Sequence, residues 1–137
     1  MNPLNPFDSN INLLQKVLDL RAKNQSVIAT NIANAETPGY ASKVFQFEEQ
    51  LQNAISAKPG TLATTHGKHI STSPTSIHSV TGAVHEIKDK TGIGDENAVS
   101  MDMEMVNLSE NELLYETAAQ LLKKKFTLLK YMIQEGK

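Results

Sequence analysis

The chain has 137 residues, room for about one domain, and 13 Lys+Arg against 15 Asp+Glu leave a formal net charge of -2. That balance offers no basic field to hold a phosphate backbone, which argues against nucleic acid as the main partner. The lack of cysteine excludes disulfides, thiol catalysis and Cys-ligated zinc, and 39% hydrophobic content with 5% aromatics is lean for a compact core.

From the start of the chain, Met1 to Phe7 holds no basic cluster followed by an apolar run, so no conventional signal peptide is expected. No stretch approaches the roughly 18 apolar residues of a membrane span. Pro3 and Pro6 keep the first residues extended, and Asp8 and Ser9 are N-cap candidates for a helix predicted over Asn10 to Ala35. At 1.5 Å per residue this helix is roughly 39 Å long. Ile11, Leu14, Leu18, Arg21, Gln25, Ile28, Ile32 and Ala35 recur on alternating three- and four-residue steps, the heptad face of a coiled coil. Pro38 disfavours the helical region at Thr37 and Gly39 permits a left-handed turn, so Glu36-Thr37-Pro38-Gly39 ends the helix. Tyr40, just past the break, is expected to anchor the following loop on the helices.

Beyond Ala41 the periodicity changes. Val44, Phe45 and Phe47 suit a short extended piece, and Phe47, Leu51, Ala54 and Ile55 suit a short helix ended by Lys58-Pro59-Gly60. Thr61 to Thr91 reads as loop with weak strands and a hairpin around Thr81-Gly82. Ser100 is a candidate cap for a last helix from Met101 to about Gln134, with Asp102 and Glu104 at its positive end. Met101, Met105, Leu108, Glu112, Tyr115, Ala119, Leu122, Phe126, Leu129 and Ile133 again fall on the heptad steps. This helix spans roughly 51 Å, against about 30 Å for a small globule, so an elongated molecule is expected.

The fold class is therefore mainly α: two long terminal helices pair as a coiled-coil-like hairpin around an irregular, weakly β middle segment. Residues 1–40 and 98–137 form one discontinuous helical unit, and 41–97 the middle segment. Arg21, Gln25 and Glu112 interrupt the greasy faces, where polar groups lower stability but fix register and partner number. Asn24, Asn31 and Asn34 lie along one side of the first helix, and their carboxamides can bond exposed backbone of an adjacent helix or loop.

The run Asn31, Asn34, Thr37, Pro38, Gly39, Tyr40 matches at every position the Asn-x-x-Asn-x-x-Thr-Pro-Gly-Tyr signature of the flagellar rod, hook and hook-associated axial proteins, which the chain resembles. Asn97-Ala98-Val99-Ser100-Met101-Asp102-Met103-Glu104-Met105 and the ending from Asn111 to Ile133 are similar to the proximal-rod members of that family. Ser100 departs from the Asp usual there, yet caps a helix about as well. The resemblance implies a non-enzymatic, cofactor-free subunit of the bacterial flagellar basal body. It implies export unfolded through the flagellar type III apparatus, polymerisation through paired terminal helices, and a role in motility. The implied partners are copies of itself, rod proteins of the FlgC, FlgF and FlgG types, and the junction protein of the FliE type. The residues expected to carry assembly are Ile11, Leu14, Leu18, Ile28, Asn31, Ile32, Asn34, Thr37, Pro38, Gly39, Tyr40, Met105, Leu108, Tyr115, Leu122, Phe126, Leu129 and Ile133.

Other chemistry finds little support. His66, His69, His78 and His85 sit in a Gly/Ser/Thr-rich stretch without a helical H-E-x-x-H motif, so loop histidines are favoured over a metal site. Asp95 to Val106 fails as a calcium loop at its sixth and twelfth positions, Ser100 and Val106. No nucleophile elbow or phosphate loop occurs, which leaves no small-molecule substrate in view. Lys123-Lys124-Lys125 is read as a solvated, dipole-favoured helix face. The competing reading is a soluble coiled-coil adaptor or export chaperone, for which the Pro-Gly-Tyr break has no purpose.

Overall fold

The computed structural model describes residues 9–56, 76–88 and 96–135. Helix α1 runs Ser9–Ala33, strand β1 Ser42–Gln46, helix α2 Glu48–Ser56, strand β2 Ala83–Ile87 and helix α3 Met101–Glu135, with a 3-10 turn at Ile77–Ser79. The described residues are mainly α, as the periodicities predict, with a small antiparallel sheet in the middle segment. Helix α1 ends two residues before Ala35. Its last turn tightens to i→i+3 bonds, Asn34 N–H to the Asn31 carbonyl at 3.0 Å and Ala35 N–H to that of Ile32 at 3.2 Å.

Helices α1 and α3 lie antiparallel. Asn31 meets Glu104 and Asn24 meets Asn111, so residues seven apart on one helix meet residues seven apart on the other. With 25 residues against 35, α3 outruns α1 by roughly 15 Å.

The middle elements pack on the outer side of α1. Leu20, Phe45, Phe47, Ala54 and Val80 form the buried cluster, with Val27, Leu51 and Ile77 against it. Burial of each large apolar side chain contributes roughly 1.5–3 kcal/mol, so this cluster holds sheet and α2 to α1. Arg21 belongs here and not between the long helices. Its guanidinium lies 4.8 Å from the centre of the Phe47 ring and 3.3 Å from the Glu48 carboxylate.

The expected hairpin around Thr81-Gly82 is not formed. Strand β2 pairs with β1, from Ser42 opposite Ile87 to Gln46 opposite Ala83, so the strands come from distant parts of the chain. The physical reason lies at the entry to β2. Val80 is fully buried, and Gly82 has a φ of 67° and sits so close to Phe45 that a Cβ would run into its ring. Those residues feed the core and leave no room for a turn.

Candidate assembly interface

The inner face of α3 is polar where apolarity was expected. Asn31 is 1% exposed and uses its whole carboxamide. Its Nδ2 donates to the Lys43 carbonyl at 2.7 Å and to Glu104 Oε1 at 3.1 Å. Its Oδ1 accepts from Lys43 N–H at 2.9 Å and from the Tyr40 hydroxyl at 3.4 Å. Toward β1 the side chain acts as a neighbouring strand would, satisfying one residue's donor and acceptor together. One heptad earlier, Asn24 Nδ2 donates to Asn111 Oδ1 at 3.0 Å, and Asn111 Nδ2 to the Arg21 carbonyl at 3.0 Å. Two polar rungs thus cross the seam, and only one register satisfies both.

Asn34 does something else. Its Nδ2 donates to the Thr30 carbonyl of its own helix, and its Oδ1 accepts from the Thr37 hydroxyl, so it shapes the turn and reaches no neighbour. The turn is held from outside by Asn97, whose Nδ2 is shared among the carbonyls of Asn34, Ala35 and Thr37 at 2.8–3.0 Å. Ala98 N–H bonds to the Tyr40 carbonyl at 3.1 Å, joining the approach to α3 to the loop after α1. Gly39 has a φ of 70° with open space beside it, so glycine is needed there for its backbone and not for room. Thr37, Pro38 and Gly39 are exposed, and Tyr40 is half-buried.

Of the predicted apolar faces, that of α1 lies inward: Ile11 and Ile28 are buried and Leu14, Leu18 and Ile32 half-buried. On α3 only half of the prediction meets α1. Leu108, Leu122 and Leu129 are half-buried, while Tyr115 lies at the rim. The column beside them is Glu104, Asn111 and Ala118, all buried, and not Met105, Glu112, Ala119 and Phe126. Met105 is 51% exposed, Phe126 48% and Ile133 71%, and Glu112 faces solvent. The single chain therefore turns its last helix by one column from the predicted seam. The residues missed are Glu104, Asn111 and Asn97. A seven-residue recurrence, Glu104, Asn111, Ala118, beside the leucine column was the available signal, masked by its polarity.

Burial pushes the Glu104 carboxyl above its ordinary range, and the Asn31 amide partly offsets this. Arg21, Lys43, Glu48 and Glu110 line the same cleft. A carboxyl raised in the folded state stabilises the fold fully below its ordinary pKa, and that contribution is lost as pH rises through the raised value. Glu104→Gln keeps the acceptor for Asn31 and removes the charge. Its melting temperature should match the parent's near pH 4 and exceed it at pH 7. Thermal unfolding of the two proteins across that range checks this, and parallel curves would contradict it.

His78 and His85 are exposed, while His66 and His69 lie outside the described residues. No group of three His, Asp or Glu that could hold a metal occurs among the described residues, and none of their helices is long and apolar enough to cross a membrane.

The model of the family described as Flagella basal body rod protein matches residues 16–40, the part of α1 and its terminal turn described above. The chain is similar to the flagellar basal body rod protein FlgB of Yersinia enterocolitica, 30% identical over 138 residues that cover 97% of this chain and 99% of that one. It is 29% identical to the FlgB protein of Buchnera aphidicola subsp. Baizongia pistaciae over 90% of this chain and 93% of that one. The FlgB protein of Aeromonas hydrophila is 31% identical over 88% of this chain and 89% of its own length.

Proposed function

Belonging to the flagellar basal body rod protein FlgB family, the chain is a structural subunit of the flagellar basal-body proximal rod, and we propose that it polymerises there through faces of α3 that α1 leaves bare. Assembly with other rod components comes with that membership. In the finer reading, residues 1–40 and 98–137 act as one axial unit and 41–97 as its spacer. The subunit enters through the type III export apparatus and contacts the FlgC, FlgF, FlgG and FliE types. The swimming of the cell depends on it.

The observation that carries this reading is the excess of apolar surface on α3. Along its described length Met103, Leu113, Leu121, Leu128, Met132 and Ile133 are among the large side chains left exposed. A helix apolar on several sides is one whose neighbours are missing. The exposed Met105, Phe126 and Ile133, outside the seam of the single chain, and Tyr115 at its rim are then contacts between subunits. The motif turn from Asn34 to Tyr40 sets the angle at which the middle segment leaves the helices.

Fractionation tests the reading against a soluble adaptor. The chain should co-purify with detergent-extracted basal bodies, and its deletion should leave cells without rods and non-motile. Recovery only in the cytosol, with motility unchanged, would overturn it.

A further inference from the structure

We propose that a second face of α3 pairs with the α3 of another copy of this chain, parallel and staggered by two heptads; this rests on the rod-subunit reading. The face is set by two columns that alternate on four- and three-residue steps. One is Met103, Glu110, Thr117, Lys124 and Tyr131; the other is Asn107, Leu114, Leu121 and Leu128. All nine are exposed, on a flank of α3 beside the polar rungs, where Asn107 and Glu110 also border the cleft that holds Glu104 and Asn111. Leu121 is 48% exposed and Leu128 58%.

The two charges decide the partner and its register. Glu110 and Lys124 stand in one column, fourteen residues apart. A parallel, level pairing would set Glu110 on Glu110 and Lys124 on Lys124. An antiparallel pairing exchanges the columns and sets both charges against leucines. A one-heptad stagger leaves every charge opposite an uncharged side chain, Thr117, Met103 or Tyr131. A two-heptad stagger sets Glu110 beside Lys124 and Leu114 beside Leu128, satisfying both columns at once. The shift is about 21 Å and leaves roughly 31 Å of overlap. Such a contact is heterologous: one copy contributes residues 101–121 of α3 and the other residues 115–135.

The absence of cysteine makes the test direct. Purified full-length Glu110→Cys and Lys124→Cys variants are mixed under mild oxidation, since a disulfide forms only when the two Cβ atoms come within about 4 Å. The mixed dimer should exceed either homodimer at least fivefold, where random collision gives about twofold. Homodimers in equal or greater amount, or no dimer at any attainable concentration, would overturn the stagger. In sedimentation, Glu110→Lys and Lys124→Glu alone should each weaken self-association at least tenfold, and the double swap should restore it; failure of the swap would overturn the charge pairing. Both positions are exposed, so circular dichroism should show unchanged helicity. Basal bodies that contain the cysteine variants but yield no mixed dimer would overturn the stagger alone, whereas absence of the parent chain from basal bodies would overturn the rod reading.

Discussion

Replacement of Asn31 by Leu should lower the stability of the isolated chain by about 3–5 kcal/mol, measured by urea unfolding. The loss is large because one buried amide serves four partners. Without it, Lys43 loses a partner for both its backbone groups, and the Glu104 carboxylate loses its donor. Each orphaned buried group costs roughly 1–3 kcal/mol, and a leucine of similar volume returns part of that by its own burial. Adding Glu104→Leu should recover some of the loss, since the stranded charge is removed with its partner. Asn34→Leu is the control. Its bonds stay within its own turn, and the change should fall within about 0.5 kcal/mol. Equal losses at the two positions would refute the distinction drawn between them.

The second large effect concerns assembly and not folding. Leu121→Asp should abolish motility and recovery in basal bodies while shifting the melting temperature of the isolated subunit by no more than about 2 °C. Leu121 is exposed in the single chain, so a carboxylate there meets water. Between subunits the same change loses about 1.5–3 kcal/mol of apolar burial and buries a charge, and the loss repeats at every contact. The neighbouring Leu122→Asp should behave differently. Leu122 is half-buried beside Leu18, so the subunit itself should be destabilised. A motile Leu121→Asp strain with normal basal bodies would contradict the assembly role of this flank.

The long helices and their lengths were legible because apolar residues repeat on helical steps without interruption by Gly or Pro. The break at Pro38-Gly39 was legible because both residues restrict the backbone. What escaped was the column of α3 that faces α1. Apolarity favoured Met105 and Phe126, yet the fold buries Glu104 and Asn111, whose partners Asn31 and Asn24 lie more than seventy positions away. Patterns within one helix do not reveal such pairings. Arg21 misled for a similar reason: it sits among heptad positions, but its side chain turns to Phe47 and Glu48, residues of the middle segment. The β1–β2 pairing was hidden by distance along the chain, and only the aromatic contact at Gly82 explains why the segment enters a strand instead of turning. The three asparagines show the limit of residue type: Asn24 and Asn31 reach across the molecule, and Asn34 does not.

The central claim is that α3 carries apolar flanks which stay bare on a single copy and are covered in the rod. A chain bearing Leu121→Cys, its only thiol, can be exposed to a maleimide as dilute monomer and again within purified basal bodies. Rapid labelling of the monomer and strong protection in the basal body is the expected result; equal reactivity in the two states would show that this flank never finds a partner.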